Sequence, residues 1–499
     1  MASIIVHDGA NVIGGNKVEI RDGEVRILLD FGSNLKAEGR YFDRSPSPGP
    51  KSLDLMLSLG LIPNLGDNNL CKAAGADSEQ PVGKPDIQGL FLSHGHLDHL
   101  GCIPYLHPAI PIYGTLETLW FHGQKFKKPK RNSIAIDEGA PVTIGGMTIE
   151  AVRVDHSIPG TCGFLVTTSD GKRIAYTADL RLHGVQESFE KTVRFFSILK
   201  ERFIPHALIT EGTNIDRYDN EAEEAHEGDE NVAGSLKGFL ATEIALALAC
   251  DHMIVAGVAA NNVDRIDTIF EVVRALGASL HLSAYNATIL FGLAKTGRFD
   301  PDSIVNTMLT DEHVHVYLRT PDELKKDELK NLELQAALEN TGRLHLLKDY
   351  GVEGSPLRRG AVIALYDADL DRLVDIKPPP GSKYIHSSTE PFTDDQIVSF
   401  DRLKAWLDFA KLTYHQIHSS GHIYGAQLKR EILEIQPDFL VPLHTEHPDH
   451  FRDLLGEGRC LIPERGKPID LDALVFPQRV VPSPRRSTPS RISHALVRP

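Results

Sequence analysis

One short run of residues, SHGHLDH at positions 93–99, constrains this chain more than any other feature. It puts three histidines and an aspartate within six residues, directly after the apolar stretch Gln88–Ser93, which is predicted to be a strand. Imidazole nitrogens and carboxylate oxygens are the usual zinc ligands where cysteine is absent. The run therefore predicts a metal-binding loop at the end of a strand.

The spacing within this loop suggests more than one ion. His94 and His96 lie two residues apart, so their side chains can converge on one ion, while Asp98 and His99 can bind a second ion from the other side. One loop cannot supply all the ligands of two ions, so the remaining ligands must come from other parts of the sequence. Three lone residues at predicted strand ends are candidates: His156, Asp179 and His444.

Composition narrows the class of protein. The five cysteines are scattered and form no CxxC pair, which argues against a disulfide framework or a thiolate zinc site and favours a reducing, cytoplasmic location. No signal peptide and no membrane-spanning stretch are recognisable.

The net charge of −15 argues mildly against a chain coated in nucleic acid, but it does not exclude a nuclease, because bound divalent ions add positive charge. The basic run 125–131 and the acidic run 221–230 are interpreted as solvated loops, with contact to an RNA backbone as the alternative for the basic run.

The pattern of predicted elements changes near residue 212. Short strands dominate the first ~210 residues. A helix over 232–250, a strand over 253–259 and a helix over 263–276 follow, and this alternation predicts a parallel sheet with crossover helices. The segment 309–346, rich in Lys, Glu and Leu, is predicted to be helical. Later elements are helices over 400–410 and 425–435 and a strand over 439–443, and the Pro/Ser/Arg-rich tail is expected to be disordered.

Several motifs together resemble one family. IGGNK at 13–17, LLDFG at 28–32, LGLIP at 59–63, the histidine run and YTADLRLHG at 176–184 are similar to segments of ribonuclease J, a β-CASP nuclease of the metallo-β-lactamase superfamily. Glu211, His422 and His444, with an α/β insert before the last two, resemble the β-CASP branch. The resemblance covers roughly residues 10–215 and 400–450. It implies an α/β fold: a metallo-β-lactamase αββα sandwich with an inserted β-CASP parallel α/β domain.

The same resemblance implies domain limits and residue roles. The metallo-β-lactamase domain would cover 1–213 and return over 416–480, with the β-CASP domain over 214–415 and a tail over 481–499. One Zn²⁺ would be held by His94, His96 and His156 and another by Asp98, His99 and His444, with Asp179 bridging; Mn²⁺ is the alternative metal. Asp98, Glu211 and His422 would be catalytic, with Glu211 bonded to a metal-ligand histidine and His422 acting as general acid or ordering the scissile phosphate. A substrate phosphate would bind at His418, Ser419, Ser420 and Gly421.

The implied function is metal-dependent hydrolysis of single-stranded RNA, as a 5′→3′ exonuclease, an endonuclease or both. The alternatives are a DNA nuclease, a small-molecule hydrolase acting on a thioester or phosphodiester, and a non-catalytic RNA-binding protein. The large insert argues against a small-molecule pocket, and the intact ligand set argues against a non-catalytic role. No membrane partner is expected. Only about 55 residues follow His444, so we expect the usual C-terminal domain to be missing. The oligomeric state stays open, with a homodimer among the alternatives.

Overall fold

The computed structural model describes residues 1–42, 51–71, 83–126, 131–184, 186–217, 235–250, 252–319, 332–387, 394–418 and 420–476. Four sequence predictions fall wholly or mainly outside these ranges: the acidic run 221–230, residues 127–130 of the basic run, Ser419, and the tail. Within the described ranges, no helix is both long and apolar enough to cross a membrane.

Two sheets face each other and form a sandwich. One has seven strands in the spatial order β20-β1-β2-β3-β4-β5-β6, and the other has six in the order β19-β11-β10-β9-β8-β7. The strands are β1 Ala2–Asp8, β2 Lys17–Asp22, β3 Val25–Leu29, β4 Gly89–Phe91, β5 Ile112–Gly114, β6 Ser133–Ala135, β7 Val142–Ile144, β8 Met147–Arg153, β9 Cys162–Thr167, β10 Arg173–Tyr176, β11 Ala207–Thr210, β19 Phe439–Pro442 and β20 Pro468–Asp470.

Alternation along the strands explains why this sandwich has helices on both outer faces. Ile27 and Leu29 of β3 point into the core between the sheets, whereas Leu28 points outward, because successive side chains of a strand alternate. On β11, Ile209 points inward and Leu208 outward in the same way. Helices cover these outward apolar residues and give an αββα arrangement. They are α1 Leu35–Gly39, α2 Leu53–Ser58, α3 Leu97–Leu100, α4 Leu116–Lys125, α5 Gln186–Ile198 and, after the insert, α14 Gly425–Ile435.

A third sheet of seven strands forms the insert, and every neighbouring pair in it is parallel. Its spatial order is β15-β14-β13-β16-β12-β17-β18. The strands are β12 Ile254–Gly257, β13 Ser279–Ser283, β14 Val314–Leu318, β15 Leu344–Leu346, β16 Ala361–Leu365, β17 Lys383–His386 and β18 Thr413–Gln416. The helices are α6 Ser235–Cys250, α7 Val263–Leu276, α8 Ala284–Ala294, α9 Ile304–Thr307, α10 Leu332–Glu339, α11 Leu347–Tyr350, α12 Leu373–Ile376 and α13 Asp394–Ala410.

Both faces of this parallel sheet are buried. Ile254 and Ala256 of β12 face one apolar core, and Val255 faces another, which explains the unbroken apolar run of this strand. The first of these cores also contains Phe121 of α4 and Ile158, which come from the sandwich. The insert is therefore docked onto the sandwich through apolar side chains. The predicted α/β fold class is confirmed, while the limits of the domains stay a prediction.

Capping residues in the sequence predicted the first and last residues of some helices correctly. The helix predicted over 263–276 has these limits, because the Asn262 side chain caps its first turn and Gly277 adopts a left-handed conformation at its end. The helix over 425–435 is also confirmed. The helical prediction for 309–346 is wrong for two parts of the segment, where β14 and β15 lie. The β-branched and aromatic run Val314–Leu318 is buried beside β13, and that pairing outweighs the helical composition around it.

Candidate metal centre

The predicted ligands come together at one edge of the sandwich, although they lie far apart in the sequence. His94, His96, Asp98 and His99 follow β4, and His156, Asp179 and His444 follow β8, β10 and β19. Because β10, β11 and β19 are parallel neighbours, their carboxyl ends meet at this edge. Among the residues that the structure describes, all seven predicted ligands fall into two compact groups.

Three histidines form the first group. The Nδ1 atom of His96 lies 3.1 Å from the Nε2 atom of His94 and 3.1 Å from the Nε2 atom of His156. Burial, followed by repulsion from neighbouring imidazoles, lowers the pKa of His94 and His156 well below the usual value and that of His96 to about 4. Neutral imidazoles whose nitrogens converge on one point are suited to binding a metal ion.

The second group combines Asp98, His99, Asp179 and His444. The Oδ2 atom of Asp179 lies 3.1 Å from His99 Nε2, and its Oδ1 atom lies 2.7 Å from His444 Nδ1. The same Oδ2 atom lies 3.7 Å from His94 Nε2 in the first group. Asp179 thus faces both groups, which is the position required of a bridging carboxylate.

Unsatisfied buried atoms test whether this centre suits a metal ion. Asp179 Oδ1 and His444 Nδ1 are buried with only each other within reach, and the buried His444 Nε2 makes no hydrogen bond to any part of the chain that the structure describes. Such atoms are costly to bury unless something else binds them. The donor set of imidazole nitrogens and carboxylate oxygens is the one that Zn²⁺ and Mn²⁺ accept. The residues therefore fit a two-metal centre.

The proton positions also favour this assignment. Ser93 Oγ–H donates to Asp30 Oδ2 at 2.7 Å, so the His94 Nδ1–H must donate to Ser93 Oγ at 2.9 Å. His156 Nδ1–H donates to the Gly421 carbonyl oxygen, and His99 Nδ1–H donates to Asp30 at 2.8 Å. In all three rings the Nε2 atom is left facing the centre, because the Nδ1 atom has an outer partner.

Asp30 is a functional residue that the sequence reasoning missed. Besides His99 and Ser93, it accepts a hydrogen bond from Tyr176 Oη at 2.8 Å, so one buried carboxylate holds three groups behind the ligands. Its only signal was an acid at the end of a buried strand, in the LLDFG motif that was recognised without a role. The adjoining Gly32 allows the close approach, because a Cβ there would lie 1.6 Å from the Asp98 carbonyl oxygen.

Strained backbone marks the same edge. Asp30, Ala178 and His444 have φ values of 58°, 53° and 51°, a region that non-glycine residues seldom occupy. Such residues concentrate at functional sites, where the surrounding structure holds them. Two of the three strand ends that supply ligands from outside the histidine run therefore carry an unusual backbone conformation at or beside the ligand.

Glu211 lies beside the centre but has a different partner from the one expected. Its Oε2 atom is 3.0 Å from His422 Nδ1, and its Oε1 atom accepts from the backbone of Leu180 at 2.9 Å. The sequence predicted a bond to a metal-ligand histidine, and the partner in the structure is His422, which is not among the seven proposed ligands. The end of β11 lies against the loop 420–424, which carries His422. A ring nitrogen of His422 is nevertheless grouped with His156 and Asp179, all within 4.8 Å of one another.

The electrostatics of His422 follow from these neighbours. Burial lowers its pKa, but the charges of Glu211 and Asp179 and the hydrogen bond to Glu211 outweigh burial and raise the pKa to about 9. In the protein without bound cations, His422 is therefore a proton donor at neutral pH. This is the protonation state that a general acid requires.

The predicted phosphate-binding residues divide into two sets. Ser420 and Gly421 lie in the loop over the centre, where Asn214 donates to Ser420 Oγ at 3.1 Å and the Gly421 carbonyl oxygen holds His156. His418 lies deeper, and burial with the nearby charge of Arg265 lowers its pKa to about 3. Ser419 lies outside the described residues. Asn214, to which the sequence assigned no role, holds this loop through hydrogen bonds to Ser420, His422 and Ile423.

A buried arginine connects the ligand loops to the insert. Arg181, two residues after Asp179, contacts Asp155 at 3.0 Å and Asp264 of α7 at 2.8 Å, and its side chain is 1% exposed. Asp155 precedes the ligand His156. Nearby, His183 Nε2 lies 2.8 Å from the Ser420 carbonyl oxygen, and its ring stacks on Tyr424. These contacts are those of a residue that supports the loop.

A cleft of about 630 Å³ opens over the centre. His96 and Asp98 line its inner part, with α4 on one side and the strand-end loops of the third sheet on the other. Lys125, the first residue of the basic run, lines this cleft, whereas Arg131, the last, donates to the backbone carbonyl oxygens of Ile103, Leu106 and His107. The two ends of the basic run therefore have different roles.

The sandwich and its ligand edge define a metallo-β-lactamase fold. In agreement, residues 71–199 match the family model of the β-lactamase superfamily domain. The chain is 26% identical over 379 residues to ribonuclease J 2 of Streptococcus pyogenes serotype M3 and 24% identical over 418 residues to ribonuclease J of Pyrococcus abyssi. These matches cover 73% and 80% of this chain and 60% and 83% of the relatives. Residues 71–199 are thus similar to the β-lactamase superfamily domain, and the chain resembles ribonuclease J, as predicted.

A solved structure supports the fold over nearly the whole chain. A crystal structure of a protein of unknown function from Enterococcus faecalis V583 superposes with a TM-score of 0.66 and 23% sequence identity. The match covers 94% of this chain and 99% of that chain. It establishes similarity of fold, including the insert, and carries no information on activity.

Proposed function

We propose that this chain is a metal-dependent ribonuclease that hydrolyses phosphodiester bonds in single-stranded RNA. The observation that carries the proposal is the convergence of seven ligand-type side chains in two groups, with Asp179 of the second group facing the first, beside a cleft that His96 and Asp98 line. The similarity to ribonucleases J supports RNA as the substrate class.

Two cations would be held by His94, His96 and His156 and by Asp98, His99 and His444, with Asp179 between them. Zn²⁺ is the proposed metal and Mn²⁺ the alternative. Such a pair of cations, when bound, acidifies water and stabilises charge on the attacking and leaving oxygens of a phosphodiester. The chain's part is to fix the ligands, and the outer partners Asp30, Ser93 and the Gly421 carbonyl do so by holding the Nδ1 atoms.

His422 is proposed to donate a proton to the substrate. Glu211 accepts from its Nδ1–H, which fixes the ring and leaves Nε2–H to donate to the leaving 3′-oxygen or to the scissile phosphate. Asp98 completes the catalytic set, because it lines the cleft and also faces His444, with Asp98 Oδ2 3.6 Å from His444 Nε2.

The loop around Ser420 is the proposed site for a substrate phosphate. The Ser420 hydroxyl and the backbone around Gly421 can donate to phosphate oxygens, and the buried guanidinium of Arg265 adds positive charge beside His418. If the phosphate is a 5′-monophosphate, binding at this loop would set the chain to act from the 5′ end. Cleavage at internal bonds requires no such contact.

The test is hydrolysis of end-labelled RNA by the purified chain supplied with Zn²⁺ or Mn²⁺. Parallel RNAs carry a 5′-monophosphate, triphosphate or hydroxyl, a single-stranded DNA serves as competitor, and the double variant Asp98→Ala, His99→Ala is the inactive control. Mononucleotides released only from the monophosphorylated RNA would support 5′→3′ action, and short internal fragments would support endonuclease action. Hydrolysis of a small thioester or phosphodiester with no cleavage of RNA would overturn the proposal, and equal cleavage of DNA would change the substrate class.

A further inference from the structure

Two half-exposed tyrosines line the cleft beyond the metal centre. Tyr285 is 51% exposed and Tyr366 is 53% exposed, and both belong to the lining that also contains His96 and Asp98. Large aromatic side chains are usually more buried than this, since each carries a sizeable apolar surface. Both lie in one cleft that leads to the candidate metal centre.

The topology of the third sheet explains why the two rings share this cleft. β13 and β16 are parallel neighbours, and Leu280 pairs with Val362. Tyr285 follows β13 in the first turn of α8, and Tyr366 directly follows β16. Carboxyl ends of parallel strands meet at one edge, where ligands of open α/β sheets bind. Both tyrosines therefore lie on the wall that the insert contributes to the cleft.

The opposite wall is held in place by close packing. Trp120 of α4 also lines the cleft, and its indole lies against α8 where Gly292 leaves room. A Cβ atom at Gly292 would lie 2.0 Å from the Trp120 ring, so the two helices approach more closely there than any other residue would allow. The helix that carries Tyr285 is thus fixed against the sandwich, and the ring has a defined place relative to the metal ligands.

We propose that Tyr285 and Tyr366 stack on the bases of single-stranded RNA whose backbone reaches the metal centre. The inference rests on the proposed function and adds how the strand is recognised. Every base has a π-face, so stacking on tyrosine holds a strand without reading its sequence. Lys125, in the same lining, supplies a positive charge for the backbone. Bases within a duplex are already stacked on one another, so these rings favour unpaired strands.

Binding of a nucleic acid with and without bases tests this inference. The probes are a short phosphorothioate RNA, which resists hydrolysis, and an abasic phosphorothioate oligomer of the same length and charge. For the metal-loaded double variant Tyr285→Ala, Tyr366→Ala we expect the affinity for the RNA to fall about tenfold or more, with the affinity for the abasic oligomer unchanged. The variant Tyr285→Phe, Tyr366→Phe keeps the rings and should bind as the parent protein does.

A matched control separates stacking from loss of any exposed tyrosine. Tyr41 is 54% exposed and lies outside the cleft lining, so Tyr41→Ala should leave both affinities unchanged. Equal weakening of both probes by the double alanine variant, or no weakening of either, would overturn the inference. Thermal melting and hydrolysis of bis(4-nitrophenyl) phosphate check that the variants are folded and their metal centre intact.

The failure of this inference differs from a failure of the proposed function. If the parent chain cleaves RNA but the ratio of RNA to abasic affinity does not depend on the two rings, only the stacking role is lost. If the parent chain binds RNA through its bases yet cleaves none, the ribonuclease proposal fails and the stacking role stands. Absence of any binding to RNA would overturn both.

Discussion

Two groups of histidines in this molecule differ in what their ring nitrogens face. The metal centre has five histidines whose nitrogens converge, with Asp98 and Asp179 among them. A second group, which we name the histidine column, consists of His281, His315 and His345 on the neighbouring strands β13, β14 and β15. Their ring centroids are 4.7 Å and 5.1 Å apart from one strand to the next.

The partners of the nitrogens distinguish the two groups. In the column, His281 bonds Tyr350 Oη at 2.6 Å and Ser279 Oγ at 2.7 Å, and His315 Nδ1 lies 2.9 Å from His345 Nε2. The rings thus bond hydroxyl groups or each other, and none of them falls in a metal-type group among the residues described. In the metal centre, by contrast, nitrogens from distant strand ends converge and two carboxylates face them.

The largest expected effect is at the carboxylate that faces both metal groups. Asp179→Asn removes the charge that both groups share, so we expect RNA hydrolysis to fall by more than about 100-fold, beyond the 10–100-fold typical of changes at partners of ligands. Metal content, measured by elemental analysis after dialysis, should fall as well.

The control for this prediction is a change in the column. The double variant His315→Asn, His345→Asn should keep the metal content and the hydrolysis rate of the parent protein. Loss of bound metal from that variant, or retention of full metal and activity by Asp179→Asn, would remove the distinction drawn here between the two groups.

A smaller effect on RNA hydrolysis is expected from a change at Glu211, the charged partner of His422. Glu211→Gln leaves His422 with a neutral neighbour, and its Nδ1–H loses a carboxylate acceptor. We expect hydrolysis of RNA to fall by about 10–100-fold with metal content unchanged, because His422 stays outside the two cation-binding groups proposed. Glu150→Gln, at a carboxylate paired with Arg202 away from the centre, is the matched control and should have the activity of the parent. Loss of metal from Glu211→Gln would instead make His422 a ligand.

The smallest expected effect is a pH dependence of the free energy of unfolding that arises from the histidine column. Burial, then His345 and Arg343, lower the pKa of His315 to about 4, and burial lowers that of His281 and His345 as well. Between an unfolded value near 6.5 and about 4, the unfolded chain binds protons that the folded chain excludes, so stability falls as the pH falls through this range. Allowing for the solvent exposure of His315, its share is about 1–2 kcal/mol.

Denaturant unfolding at pH 7 and pH 5 measures this loss. Other buried histidines with lowered pKa, such as His183 and His418, add to the total, so the informative quantity is the difference from His315→Asn, His345→Asn. That variant should lose less stability between the two pH values. Equal losses in both proteins would show that the column does not titrate with unfolding.

The sequence predicted what depends on local spacing and missed what depends on packing. The helix over 263–276 is set by its own cap and terminal glycine, and the ligands were recognisable because strand ends are readable from turn signals. Asp30 gained its role only when β3 paired with β4 and brought it behind Ser93 and His99. The strands within 309–346 were likewise hidden, since parallel strands depend on neighbours distant in sequence.

The placement of His444 has a consequence for how the protein is made. β11 pairs with β19, and the carbonyl group of His444 lies 3.4 Å from the Thr213 hydroxyl across 231 sequence positions. At roughly 5–20 residues per second, a ribosome needs tens of seconds to synthesise this interval. During that time six of the seven proposed ligands already exist on an open sheet edge, while the seventh has not been added to the nascent chain. Stable loading of the proposed second cation would therefore wait until the insert has been synthesised and the returning strand has closed the edge.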